Sequence, residues 1–215
     1  SGRVGQVLLA REVHHHGLYG RRSPAEEERP LGWLDVSTAM DISSDGKVLL
    51  IDVEAMGGGP LYAVCLRGMD GSPPVRLGEG LACALSPDGE WALAIHYGPP
   101  HRLLLLPTGT GDSTSLPRGA VETYVDARWL PDGKSIAFVG SEAGHARRTY
   151  VQDVRGGFPR PITPEDVAGA FVSPDGRFVS AVSKDQRLYA YPIGGGDPQL
   201  AAGLDEVTLQ VHRFA

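Results

Sequence analysis

Four near-copies of one turn, almost evenly spaced, constrain this chain more than any other feature of its sequence. "SPDG" stands at 86–89 and 173–176, "SSDG" at 43–46 and "LPDG" at 130–133. Counted between the aspartates Asp45, Asp88, Asp132 and Asp175, the intervals are 43, 44 and 43 residues. A period near 43 fits a four-stranded propeller blade, whereas helical repeats of similar length carry apolar residues at helix spacing. No segment shows a convincing amphipathic helix.

The runs around each turn supply the strands. After the turn come short runs rich in β-formers at 48–51, 91–95, 135–139 and 178–182, then third runs at 61–66, 102–106, 149–154 and 187–191. Gly-rich turns follow ("GMDGSP", "TGTGDS", "RGGFPR", "GGGDP"), and then a brief fourth run such as 75–77 or 160–162. First strands at 40–42, 83–85, 127–129 and 170–172 lead into the turns. The turn has type I chemistry, with Ser first, Pro second and Gly fourth. A left-handed Gly after a type I turn predicts a three-residue hairpin with a bulge. The aspartates therefore read as turn formers, not catalytic carboxylates. Ile42, Leu85, Trp129 and Val172 share one place before the turn, and equal burial is expected of them.

Repeat arithmetic also reads the ends. Residues 7–10 are a second strand without its first, and 207–214 a first strand with no blade after it. The expected fold is all-β: a β-propeller of about five four-stranded blades, closed by the C-terminal strand lying beside 7–10. The alternative is five blades cut from a larger ring, which leaves open edges. One domain over 1–215 is expected, with blades at 1–38 plus 206–215, 39–80, 81–124, 125–167 and 168–205.

Composition narrows the partners. With 215 residues and 41% hydrophobic content the chain can bury a core, and its net charge of −6 argues against nucleic acid. The longest aliphatic run, 103–106, falls far short of the roughly 20 residues that span a bilayer, so no membrane contact is expected of this segment itself. Cys65 and Cys83 form no C-x-x-C pattern and sit in apolar runs, which predicts buried free thiols rather than a disulfide.

The repeat built on "SPDG" and an apolar strand resembles the TolB-type, WD-like propeller repeat over nearly the whole chain. Within it, "ARWLPDGKSIAFVG", "YVQDVRGGFPRPITPE" and "VSPDGRFVSAVSKDQRLYAYPIGGGDPQ" resemble the TolB-like segment that follows the kinase domain and a membrane helix in a group of bacterial serine/threonine protein kinases. That resemblance implies a sensory or scaffolding region on the outer side of the inner membrane, with the cytoplasm as the alternative. The chain has no HRD catalytic loop, DFG or Gly-rich loop with its lysine, so phosphoryl transfer does not reside in it. Prolyl oligopeptidase-like enzymes carry similar propellers beside a hydrolase domain, whose G-x-S-x-G elbow is absent here, as is H-E-x-x-H. A non-enzymatic binding module without cofactors is expected. A propeller accessory to a hydrolase, or a small-molecule or metal sensor, is the alternative.

The loops between second and third strands open on the face opposite the repeated turns, and they differ from blade to blade. His14, His15, His16, His96, His101 and His145 fall on this face or at its edge. Imidazole binds transition metals and titrates near neutral pH. The plainer reading is that polar loops contain histidine, and His14, His15 and His16 are only weak metal candidates. For a protein or peptide partner the expected contacts are Tyr97, His101, His145, Arg147 and Arg148, which combine aromatic, titratable and cationic groups.

Overall fold

The computed structural model describes residues 17–21, 25–33, 36–54 and 62–201. Eighteen strands and no helix occur among them, hence none long and apolar enough to cross a membrane. β1 (Tyr19–Gly20) and β2 (Arg29–Pro30) form a two-stranded sheet, placed by the repeat spacing as the third and fourth strands of the first blade. The other strands form four four-stranded antiparallel sheets, each in chain order. Blade 2 comprises β3 (Val36–Ile42), β4 (Val48–Glu54), β5 (Ala63–Gly68) and β6 (Val75–Glu79). Blade 3 comprises β7 (Leu81–Leu85), β8 (Trp91–His96), β9 (Arg102–Pro107) and β10 (Thr114–Ser115). Blade 4 comprises β11 (Val121–Trp129), β12 (Ser135–Glu142), β13 (Arg148–Asp153) and β14 (Arg160–Pro161). Blade 5 comprises β15 (Ala168–Val172), β16 (Phe178–Val182), β17 (Leu188–Pro192) and β18 (Gln199–Leu200). The fold is an all-β propeller. The strands expected at 7–10 and 207–214, and the closure built from them, lie outside the described residues, as do His14, His15 and His16.

The repeated turn is locked by its own side chains. In blade 3 the Ser86 hydroxyl donates to Asp88 Oδ1 (2.5 Å), Asp88 accepts the Glu90 amide (3.0 Å), and the Trp91 amide donates to Ser86 Oγ (2.9 Å). Ser43 with Asp45 and Ser173 with Asp175 repeat this pattern at 2.7 and 2.6 Å. The fourth residue is glycine at φ between 63° and 74° in all four copies, a left-handed conformation that a Cβ would strain. The hairpin is one residue longer than the sequence suggests. Ser43 closes onto Val48 with four residues between, because the serine hydroxyl takes the Val48 amide in place of the serine carbonyl. Leu130 has no hydroxyl to give, so Asp132 accepts both the Lys134 and Ser135 amides (2.8 and 3.0 Å), and the leucine packs into the core instead.

The core lies between blades rather than inside one layer. Strands with both faces covered read as continuous apolar runs, and Ala92, Leu93, Ala94 and Ile95 of β8 are all fully buried. Between blades 3 and 4 the packing is aromatic, with Phe138 stacked on Tyr150 at 5.3 Å and Trp129 beside them. Between blades 4 and 5 it is aliphatic, built on Leu130, Ala137, Val151 and Val179. Equal burial before the turns does not hold: Leu85 and Trp129 are each 8% exposed, Val172 is half-buried and Ile42 is 48% exposed. Leu85, Trp129 and Val172 pack against the preceding blade, whereas the strands expected before Ile42, at 7–10 and 207–214, lie outside the described residues. Cys65 and Cys83 are free and buried, and burial pushes both thiols up.

Three polar side chains tie neighbouring blades to the inner strand of blade 3. From blade 2, Asp41 accepts the Leu85 amide (2.8 Å) and Asp52 accepts the Ala82 amide (2.6 Å). From blade 4, Arg128 donates to the Cys83 carbonyl. Each inner strand also carries a register shift, at Ala39/Asp41, Ala82/Ala84, Tyr124/Asp126 and Ala168/Phe171. Such bulges bend a strand and increase its local twist.

Candidate functional site

The loop after β8 and the loop after β12 stand on adjacent blades; they carry Tyr97, His101, His145 and Arg147, and Arg148 opens β13 directly after the second loop. In the blade 3 loop, Tyr97 meets His101 edge to face, ring centroids 5.5 Å apart and planes at 85°. That geometry places the positive edge of one ring on the negative face of the other. Tyr97 also packs against the core between blades 3 and 4, which anchors the loop. Burial pushes the Tyr97 hydroxyl up, while the charge of Arg147 on the neighbouring blade acts in the opposite direction. The His101 Nδ1 is buried with no hydrogen-bond partner.

Where the blade 4 loop leaves β12 and enters β13, three strand side chains close a triangle. Arg148 Nη2 donates to Glu142 Oε1 at 2.5 Å, Arg148 Nε donates to the Tyr150 oxygen at 3.0 Å, and the Tyr150 hydroxyl donates to the same Glu142 oxygen at 3.0 Å. These bonds hold the Glu142 carboxyl below its ordinary range. Arg148 also lies over the Tyr150 ring, 5.2 Å from its centroid. His145 pairs its Nδ1 with Glu165 Oε1 at 2.7 Å, joining the loop to the connection into blade 5, and that hydrogen bond holds the Glu165 carboxyl down. Arg147 is exposed, and its carbonyl accepts the Asp166 amide (3.0 Å).

Tyr97 with His101 forms one contacting pair, and Arg148 and His145 each engage acidic partners of their own. The shared rim presents a ring edge, the exposed guanidinium of Arg147 and two imidazoles. Hydrogen bonding and π contact are within the reach of such a set, and side chains of unlike chemistry on a rigid frame are the usual basis of selective recognition. Sequence reading did not find Glu142, Tyr150 or Glu165. Tyr150 had a signal, since residues two apart on a strand share a face, so a tyrosine at 150 stands beside Arg148. Glu142 and Glu165 reach their partners across loops whose course no periodicity encodes. Among the described residues, no three His, Cys, Asp or Glu side chains gather into a metal-binding group.

No family model matches the chain. A stretch of 74 residues is 35% identical to the uncharacterized peptidase YuxL of Bacillus subtilis (strain 168), covering 34% of this chain and 11% of that protein. Among solved structures, TolB from Acinetobacter baumannii superimposes with a TM-score of 0.59 at 19% identity, over 80% of this chain and 47% of that one. The β-propeller domain of the Trilobed protease from Pyrococcus furiosus gives a TM-score of 0.58 at 9% identity, over 76% and 56%. At these identities the structural likeness shows the fold alone. The chain spans about a tenth of YuxL and about half of the Acinetobacter TolB chain.

Proposed function

We propose that this chain is a non-catalytic binding module that recognises a protein or peptide through the loop rim of blades 3 and 4. The observation that carries the reading is the placement of Tyr97, His101, His145 and Arg147 on two adjacent loops, with Arg148 at the strand end beside them, on one rigid scaffold. Aromatic residues and arginine are the groups enriched in recognition surfaces and their hot spots. No cofactor belongs to this reading, and the net charge of −6 keeps nucleic acid out of it.

The test is a titration against a partner captured by cross-linking in the source cell. Tyr97→Ala and Arg148→Ala are expected to weaken binding by more than about 1 kcal/mol each. Lys47→Ala and Lys134→Ala, on the repeated turns, are expected to leave it unchanged. The opposite pattern assigns recognition to the turn face and rejects the proposal.

A second reading takes the chain as the propeller of a peptidase, and the 74-residue similarity to YuxL favours it. A G-x-S-x-G elbow encoded in the same reading frame supports this reading. An upstream kinase domain with a membrane helix instead supports the receptor-kinase reading, which rests on the repeat resemblance and carries with it placement outside the inner membrane.

A further inference from the structure

We propose that the outer groove between blades 2 and 3, which meets the loop rim at His96 and Arg102, is a second recognition site that takes an extended acidic peptide. The groove has a volume of about 620 Å³ and runs between β6 on one wall and β9 with β10 on the other. Its floor is Leu77, Gly78 and Leu106, where a Cβ on Gly78 would lie 3.1 Å from Leu106 Cδ2. Arg76, His96 and Arg102 line its sides together with Glu79 and Asp112, and Arg76 pairs with Glu79 at 3.6 Å, so Arg102 is the guanidinium left to meet a ligand carboxylate.

The next groove around the ring supplies an internal control. Arg102 stands five residues before Pro107, which lies opposite Trp91, and Arg148 stands five before Asp153, which lies opposite Ser135. The two arginines thus hold one structural position on neighbouring blades. Arg148 is satisfied by Glu142 and Tyr150. Arg102 has no carboxylate within ion-pair distance among the described residues, and its Nε is buried without a hydrogen-bond partner. Blade 3 also seals its boundary with blade 4: Leu116 is 5% exposed, and Gln152 Nε2 donates to the Pro117 carbonyl at 2.6 Å. Among the described residues nothing comparable fills the groove beside Arg102.

Two features fix the class of ligand. A guanidinium presents a fork of donors that matches a carboxylate in bidentate geometry. His96 adds a donor, because its Nδ1 accepts the Gly98 amide at 3.1 Å and the ring proton then sits on Nε2. The second feature is the wall. β6 has five residues at the edge of its sheet, whereas β10, β14 and β18 have two each. The outward backbone groups of a strand that long can pair with an added strand, which is the mode of β-augmentation. A peptide with alternate acidic side chains meets both features, its main chain on β6 and a carboxylate on Arg102.

The probe is a fluorescein-labelled heptapeptide of alternating valine and glutamate, followed by anisotropy against the whole chain. Saturable binding is expected, weakened by added salt, with at least about a tenfold loss on Arg102→Gln, as removal of a charge-assisted hydrogen bond implies. Arg76→Gln should give a smaller loss and Lys134→Gln none. Circular dichroism verifies folding, and Arg76→Gln decides the matter should Arg102→Gln not fold. Absence of saturable binding overturns the proposal, as does equal binding of the glutamine counterpart or indifference to both arginine changes. Displacement by free glutarate at concentrations equal to the peptide also overturns it, since the groove then reads a small acid and not a strand.

Discussion

The two rims of this propeller spend their polar side chains differently. On the turn rim each serine and aspartate bonds within five residues of itself, and the same arrangement recurs at Ser43, Ser86 and Ser173. On the loop rim no one arrangement recurs from blade to blade: the Gly98 amide donates to His96, Arg148 reaches Glu142, and His145 reaches Glu165 twenty residues away. A group that shapes a hairpin in every blade cannot vary without cost to the fold. A group that merely orders one loop can, and this freedom is what a recognition surface needs.

The largest effect expected from this contrast lies just beneath the turn rim. Trp129→Ala should cost about 3–5 kcal/mol in denaturant melts, the range for removing a large buried aromatic. Ile42→Ala, at the same place in the repeat but 48% exposed, should cost under about 1 kcal/mol. Equal losses would mean that the repeat position, not burial, sets the energy. Next in size is Ser86→Ala, which strips a buried hydroxyl from both the Trp91 amide and Asp88. It should cost about 1–2 kcal/mol, since a buried donor is left unmet.

A smaller effect follows from pH. Asp45 and Asp175 are held down to about 2, first by the Ser43 and Ser173 hydroxyls and then by backbone amides. Because their folded values lie below the ordinary 3.8, the stabilisation is fully present above about pH 5 and is lost as pH falls toward 2. The melting temperature should fall through that window, and Asp45→Asn combined with Asp175→Asn should flatten the fall. A profile unchanged by the double substitution would break the link between the turn locks and acid sensitivity. Smallest of all is His145→Gln on the loop rim. Its pair with Glu165 is half exposed, so the loss should stay under about 0.5 kcal/mol by thermal melt, and a larger loss would erase the contrast between the rims.

These differences also mark what the amino-acid sequence discloses. The 43-residue spacing and the turn chemistry are local, so fold, strand order and the lock around Asp88 could all be read from them. Register shifts left no trace, because Met40, Cys83 and Val125 look like any other strand residue. The unequal fates of Arg102 and Arg148 were hidden for a different reason. Whether an arginine at that position finds a carboxylate depends on the length and path of the preceding loop, and the loop of blade 4 carries Glu142 while that of blade 3 has no acid.

The three ties to β7 bear on how the blades come apart. Asp41 and Asp52 hold that strand from blade 2, and Arg128 holds it from blade 4. In a stack whose members touch only their neighbours, each seam can open by itself and unfolding can travel blade by blade. Here both seams end on one strand. Loosening either one is expected to disturb the strand that secures the other, so blades 2, 3 and 4 should unfold as one block, with β7 as its keystone.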